Sequence, residues 1–533
     1  MSAASFFLRR NRRQAYRDAL AFERSRNLPA VSPQDQIRAT LSRLSEGGKG
    51  LRFGTLSSGE DVQVTPSTAL MSALVIGATG SGKTRFVLGL LLSLVRGLLS
   101  DREANVEFEL VDPKHETFDL LKRYLAALWL GSSPQARERL AGMVRVIAWS
   151  RDAVSPTAPF DNQEGLISPA YLAHLRTDIT VQASFQTYTD SMRQALFMLN
   201  RLLVAKRFPP NLRFTSRLFS DPGFRRRVLE DVGDPDLRAF FSELERTLPR
   251  QTAEALLRRI QYDLSFPEIR LSEGIPPHAL ERLIPKTAPR IVLGSYSPAM
   301  ALPASKGRER ANHRVTDVLL RAPRRDPSRR GLLVIEEAPV LLSGSTELVE
   351  PLTTAARTLR SVGMGIHFCA QDFENALPPQ LVRNLRLNSR WWAVFRSHAE
   401  AEWIYPHLLR SETRDRSSEA DRHREFLRRM AGLPSRRFYL LVKGEPALPV
   451  LSPDVPDPKG RSDDELREVF DREIASRSML PARVAEEEIA KWEADVVGKE
   501  EIPPSQDGSQ SRVCGIRDLL QHLAPQEDED SDE

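Results

Sequence analysis

Apolar positions along this chain fall into short continuous runs separated by longer stretches at helical spacing. The run Ala73 to Ile76 predicts a buried strand, and the segment from Arg85 to Leu99 predicts an apolar helix after it. Further strands are predicted at 105–111, 144–149, 289–296, 331–335, 365–371 and 437–443, with helical stretches at 120–130 and 353–363 among them. Strands alternating with helices in this way specify an α/β fold. Between 161 and 289 the rhythm changes. Helix-period stretches such as 184–203 and 252–264 are broken by Phe208-Pro209-Pro210 and Asp234-Pro235, and no strand pattern lies between them. The chain therefore divides into a basic helical arm (1–50), a first core part (51–160), an all-α insertion (161–289), a second core part (290–458) and a charged helical tail with an acidic end (459–533).

The junction after the first buried strand carries the strongest chemical signal. Gly77-Ala78-Thr79-Gly80-Ser81-Gly82-Lys83-Thr84 fits G-x-x-x-x-G-K-[ST] and sits between a strand and a helix, the context that the phosphate-loop reading requires. Glycines let successive backbone N–H groups turn inward around a phosphate, and the first turn of the helix adds unpaired donors. Lys83 then reaches the β- and γ-phosphates, and the Thr84 hydroxyl is a Mg²⁺ ligand. The expected ligand is a nucleoside triphosphate. Upstream, the alternating residues 50–64 around Ser57-Ser58-Gly59 predict a hairpin that covers a sheet edge or the nucleotide.

Other polar residues are predicted at strand ends, where open α/β sheets keep their ligand chemistry. Asp112-Pro113-Lys114-His115-Glu116 follows one strand, as accessory site residues (Asp112, Lys114) or as a solvated turn. The strand 331–335 delivers Glu336 and Glu337. Such a pair suits a phosphate-loop ATPase, with Glu336 on the metal side and Glu337 polarising the attacking water. Gln371 ends the strand 365–371, either as a hydrogen-bond partner of the γ-phosphate or as a plain cap.

Composition narrows the class. With 533 residues, 41% of them apolar, there is material for two or three domains. The net charge of +5 hides arginine clusters such as Arg225-Arg226-Arg227 and an acidic end at 527–533, so both anionic and protein partners stay open. Two cysteines, Cys369 and Cys514, form neither a disulfide framework nor a zinc pattern, which fits a reducing, cytoplasmic compartment. No window reaches the ~18 apolar residues of a membrane span. Phe6-Phe7-Leu8 ahead of Arg9-Arg10 is too short for a secretory signal, so this arm reads as a basic helix or a docking arm. The tail from 461 reads as charged helix, then polar linker, then a short apolar-periodic piece at 513–523. It is either solvated or a partner-docking segment.

Taken in order, the phosphate loop, Asp112-Pro113-Lys114, the helical insertion, the acidic-pair strand, Arg360-Ser361-Val362-Gly363 and Ala370-Gln371 resemble the FtsK/HerA superfamily of ring-forming ATPases. Within it they are most similar to the conjugative type IV coupling proteins. That resemblance covers 51–458 and implies a RecA-like phosphate-loop core with a mainly parallel central sheet, ATP and Mg²⁺ as ligands, and DNA translocation by a homo-oligomer, a hexamer. It implies nucleotide contacts by Lys83 and Thr84, metal and water handling by Glu336 and Glu337, and γ-phosphate sensing by Gln371. Arg360 becomes a finger entering the neighbouring subunit's site, with Arg357 as its rival. Membrane, relaxase or accessory proteins are the implied partners, holding a cytoplasmic chain at the inner membrane. The chain departs from that pattern in lacking N-terminal spans, in His115 where glycine is usual, and in Glu336 where Asp is usual. An ATPase for protein export or assembly, or a nucleotide switch without DNA dependence, are the other functions compatible with the sequence.

Overall fold

The computed structural model describes residues 32–497 apart from 46–49, 101–104, 150–152, 156–167, 184–187, 207–211, 273, 276–288, 298–302, 323–327, 343–351, 353, 356–357 and 409–417. The chain forms two units, Met1–Ile489 and Ala490–Glu533, and the second is described only through Val497, where a helix begun at Ala482 ends. The basic segment 1–31, Cys514 and the acidic end lie outside the described residues.

An eleven-stranded sheet in the order β2-β1-β12-β11-β10-β3-β9-β8-β4-β7-β5 forms the first unit's framework. Its strands are β1 (Leu51–Thr55), β2 (Asp61–Val64), β3 (Ala73–Ile76), β4 (Val106–Asp112), β5 (Val144–Ile147), β7 (Ile291–Ser295), β8 (Arg330–Ile335), β9 (Met364–Ala370), β10 (Trp391–Val394), β11 (Arg437–Val442) and β12 (Leu448–Leu451). From β10 to β5 every pairing is parallel; from β10 to β2 every pairing is antiparallel. The fold is α/β with a mostly parallel sheet, as the alternation predicts. Central strands are buried on both faces, which is why they read as continuous apolar runs.

Period-two alternation divides β3 between two cores. Ala73 and Val75 face Phe86, Leu91 and Val95 of the helix Lys83–Leu99, and Leu121 of the helix Glu116–Leu130. Leu74 and Ile76 face the other way, into a core with Val315 and Leu319 of the helix Ala304–Arg321. Burying each large aliphatic side chain contributes about 1.5–3 kcal/mol, so β3 is held from both sides. It has no freedom to shift register.

Between Pro169 and Ser272 the described residues form eight helices and no strand. Thr189, Asp221 and Asp234 accept the backbone N–H groups that open three of them, and Pro222 and Pro235 occupy first turns. The predicted hairpin is β1–β2, turning at Gly59 with φ +96°. It extends the antiparallel edge, and three strands separate it from β3.

Part of the stretch assigned by sequence to the tail belongs to the body. The helix Asp463–Glu473 buries Leu466 and Phe470 in the first core, and Arg467 forks onto Asp119 at 2.8 and 2.8 Å. A two-residue strand β13 (Leu480–Pro481) then pairs with β6 (Ala153–Val154), and Ile489 packs on Leu271. Scattered apolar residues among many charges, Leu466, Phe470, Ile474 and Ile489 the largest of them, carry this docking, too sparse to register as a core pattern. No described helix is long and apolar enough to cross a membrane.

Candidate phosphate-binding site

The loop Gly77–Gly82 hangs at the C-terminal end of β3, between the ends of β9 and β10. Gly77 donates its N–H to Ala370 O at 3.1 Å and Ala78 to Arg396 O at 2.9 Å, so both neighbouring strands tie the loop's start. Gly80 has φ +73° with open space where a Cβ would sit, and Gly82 has φ +97° at the cap of the helix Lys83–Leu99. A Cβ at Gly82 would come within 2.9 Å of the Arg436 backbone, so only glycine fits there. Arg436 itself, at φ +69°, donates its N–H to Ser81 O at 2.7 Å. The Ser81 hydroxyl is buried and has no hydrogen-bond partner. Thr84, half-buried, is the second residue of the helix.

Two lysines and two glutamates converge beside this loop. Lys83, 7% exposed, places Nζ 3.7 Å from Glu336 Oε2 and 3.5 Å from Glu337 Oε2. Burial pulls its ammonium down, but the two carboxylates outweigh that and hold it above the ordinary lysine value. Lys114 Nζ is 3.3 Å from Glu337 Oε2, and Thr117 donates its hydroxyl to Glu336 Oε1 at 3.0 Å. Glu337 has φ +47°, a left-handed conformation that costs a side-chain-bearing residue about 1–3 kcal/mol. That strain bends the chain at the end of β8 and turns both carboxylates toward the loop.

Asp112 works one strand further along. Its Oδ1 accepts the N–H groups of Lys114 and His115, both at 2.9 Å, and its Oδ2 accepts that of Phe118 at 2.9 Å. These bonds close the turn that aims Lys114 and open the helix Glu116–Leu130. Burial, reinforced by the Glu336 charge and opposed by the three donors, raises the Asp112 carboxyl to about 6. His115 stands at φ +70°, the conformation for which glycine is the usual choice, and its Nδ1 lies 2.6 Å from Ser295 Oγ.

Of the residues singled out by sequence, the structure brings together the loop, Lys83, Thr84, Asp112, Lys114, Glu336, Glu337 and Gln371. Gln371 Oε1 accepts the Thr79 hydroxyl at 3.2 Å. Arg360 is elsewhere. It lies in the turn Leu359–Val362 ahead of β9, while the loop follows β3, which runs parallel to β9. A seven-residue strand, about 20 Å long, therefore separates Arg360 from its own loop. Arg357 lies outside the described residues. Sequence reasoning missed Thr117, Arg396, whose guanidinium donates to Thr79 O at 3.0 Å, and Arg436. None belongs to a motif, and only three-dimensional adjacency reveals them.

Among the described residues no group of three or more His, Cys, Asp or Glu is arranged to hold a metal unaided. The donor set nevertheless fits Mg²⁺, which takes one or two protein oxygens together with phosphates and water.

No family model matches the chain, and no curated protein matches it in sequence. Solved structures do match. The bacterial conjugative coupling protein TrwB, lacking its N-terminal 70 residues and in an unbound form, aligns over 81% of this chain and 94% of its own, with a TM-score of 0.51 and 15% identity. The chain has the coupling-protein fold. TrwB in complex with a non-hydrolysable GTP analogue aligns over 81% and 95%, with a TM-score of 0.50 and 16% identity. A looser likeness, TM-score 0.43 at 14% identity over 78% and 98%, is to VirB4 of Thermoanaerobacter pseudethanolicus. Identity this low establishes architecture and leaves activity to be argued from the side chains.

Proposed function

We propose that this chain is a ring-forming ATPase motor that couples ATP hydrolysis to the movement of DNA. The observation that carries the ATPase part is the meeting of Lys83, Lys114, Glu336 and Glu337 at the mouth of a glycine loop, with the Ser81 hydroxyl left without a partner. Backbone N–H groups of the loop and the first turn of the helix Lys83–Leu99 bind the phosphates. Lys83 exchanges its two carboxylates for the β- and γ-phosphate oxygens. Thr84 and Glu336 hold Mg²⁺, which neutralises charge on the phosphate oxygens when bound. Glu337, freed from Lys83, accepts a proton from the attacking water, and Gln371 at the adjacent strand end contacts the γ-phosphate.

Arg360 cannot reach its own loop, so its role as a finger needs a second copy of the chain, which makes the working form a homo-oligomer; the hexameric ring follows from the resemblance to ring-forming ATPases. DNA is the cargo in this reading, held through its phosphates and therefore more weakly as salt rises. A conjugative coupling protein with this fold supports it. Membrane, relaxase or accessory proteins would bring this cytoplasmic chain to its place of work.

The test is ATP turnover of the full chain with and without long duplex and single-stranded DNA, beside Lys83→Ala and Glu337→Gln. Stimulation by DNA together with loss in both variants supports the motor. Turnover that needs both residues yet ignores DNA keeps the ATPase and rejects the cargo, leaving a polypeptide or a switch role. Unaltered turnover in both variants rejects the site.

A further inference from the structure

Two side chains hold the middle of the phosphate loop from opposite sides. Gln371, just past the end of β9, accepts the Thr79 hydroxyl at 3.2 Å, and Arg396, just past the end of β10, donates to Thr79 O at 3.0 Å. β3 lies between β9 and β10, which therefore run about 10 Å apart at the ~4.8 Å spacing of neighbouring strands. No ladder hydrogen bond spans that gap. Beyond the loop, the two strand ends can be fixed against each other only through a side chain.

Glu400 supplies it. It stands in the turn after β10, ahead of the short helix Ala401–Ile404, and is 1% exposed. Its Oε1 accepts the N–H of Phe373 at 2.7 Å and that of Glu374 at 3.3 Å, both in the turn after β9, and its Oε2 accepts the Ser397 hydroxyl in its own turn. From the same short helix, Trp403 donates Nε1 to Glu374 Oε1 at 2.7 Å. One carboxylate thus bridges the turns that deliver Gln371 and Arg396.

Closing its own turn does not require this acid, because the bond to Ser397 uses only one of its oxygens. Among the described residues no cation pairs with Glu400, although a buried charge ordinarily has one. Burial, the largest influence, raises its carboxyl above the ordinary glutamate value; the Ser397 hydroxyl and the Phe373 N–H oppose that, and the Asp372 charge adds to it. A carboxylate accepts on both oxygens, so it takes backbone donors on one side and a hydroxyl on the other without turning a donor of its own toward either.

We propose that Glu400 is a positioning residue for the γ-phosphate contact: it fixes the turn after β9 against the turn after β10, so that Gln371 exchanges the Thr79 hydroxyl for the phosphate by side-chain rotation while its backbone stays still. The inference rests on Gln371 as the γ-phosphate contact and adds a residue whose own bonds lie outside the loop. With the bridge broken, the turn after β9 shifts and Gln371 no longer meets the phosphate. The remainder of the nucleotide is unaffected, because the N–H groups of the loop and of the first helical turn hold the other phosphates.

Calorimetric titration of the full chain with ADP and with a non-hydrolysable ATP analogue, each with Mg²⁺, tests this, because the ratio of the two affinities isolates the γ-phosphate. Gln371→Ala should lower the ratio by about tenfold, the loss of a hydrogen bond to a charged group. Glu400→Ala should lower it by a similar factor and leave the ADP affinity within about twofold, and Glu400→Gln, which keeps an acceptor for the Phe373 N–H, should stay within about threefold of the wild-type ratio. In the Gln371→Ala/Glu400→Ala pair the ratio should fall no further than in Gln371→Ala alone, since the second residue acts through the first. Glu400→Asp, one methylene too short to bridge both turns, gives the same readout if the alanine variant does not fold. A ratio that falls in Gln371→Ala and holds in both the alanine and aspartate variants at 400, losses that add in the double variant, or an equal loss of ADP and analogue binding would overturn the proposal alone. No binding of either nucleotide, or a ratio unmoved by Gln371→Ala, overturns the γ-phosphate reading and the proposal together.

Discussion

The two ends of one parallel sheet solve the same electrostatic problem in opposite ways. At the C-terminal end two buried carboxylates, Glu336 and Glu337, hold two ammonium groups, Lys83 and Lys114, within 3.3 to 3.7 Å. At the N-terminal end Arg330, Arg360, Arg390 and Lys443 gather around a cavity with no acid in its lining. The first cluster is satisfied internally, so a ligand there must exchange partners. The second has no acid in its lining, so an anion there adds a partner. Substitution of a single cation should consequently have opposite signs at the two ends.

The largest effects are expected at the satisfied end. Glu337→Gln removes the proton acceptor and should lower ATP turnover by about 10²–10⁴-fold. It also leaves Lys83 with less negative charge beside it, so binding of a non-hydrolysable ATP analogue, followed by fluorescence titration, should be retained or tightened. Weakened binding would mean that Glu337 anchors the nucleotide and is no base. Lys83→Ala should cost turnover on the order of 10²–10³-fold. It strips buried Glu336 of its cation, while Lys114 stays beside Glu337, and breaking a buried pair destabilises by about 3–5 kcal/mol, visible as a lowered urea midpoint.

Asp112 gives a pH test of similar size. Its carboxyl is raised in the folded chain from an ordinary value of 3.8 to about 6, mainly by burial. The folded state therefore binds the proton more tightly than the unfolded state, and this contribution to stability is fully present below the lower value and lost as pH rises through the upper one. Loss of up to about 3 kcal/mol is expected across that window. Urea midpoints of Asp112→Asn should not show this decline, at the cost of one acceptor for the Phe118 N–H. An equal decline in the variant would assign the pH dependence to another group.

What the sequence discloses about the two ends differs for the same physical reason. The C-terminal end is built from contiguous motifs, so the loop, Glu336, Glu337 and Asp112-Pro113-Lys114 were readable as strings, and β3, β4, β7, β8, β9 and β11 as apolar runs. The N-terminal end is built from single residues preceding or following strands far apart in the chain. Arg330, Arg390 and Lys443 share no spacing, and only the strand order makes them neighbours. β10 escaped the reading because Trp391 to Val394 is a short run directly after a helix, yet it lies beside β3 and anchors the loop through Arg396. The helix Asp463–Glu473 is legible as a charged helix, but its docking on the body escaped because its acidic and basic residues outnumber Leu466 and Phe470, although its Arg467 pairs with Asp119 across the chain.

Lys114→Met sits between the extremes. Lys114 is partly exposed, so solvent screens its 3.3 Å contact with Glu337, and an effect on stability below about 1 kcal/mol is expected. Its effect on turnover should appear in kcat more than in KM if Lys114 orients Glu337. A change confined to KM would instead mark it as a phosphate contact.

Arg330→Gln is the smallest effect and the sharpest comparison. Arg330 is exposed and has no described ion pair, so removing its charge breaks no contact and relieves repulsion from Arg360 across the cavity. Stability at low salt should rise by a few tenths of a kcal/mol, within the usual ±0.5 for surface changes. The gain should fade toward 1 M salt, where the screening length falls to about 3 Å. A urea titration at both salt concentrations reads this directly. A gain of the same size at both salt concentrations would mean that repulsion among these cations is not its source and that the contrast between the two ends is not electrostatic.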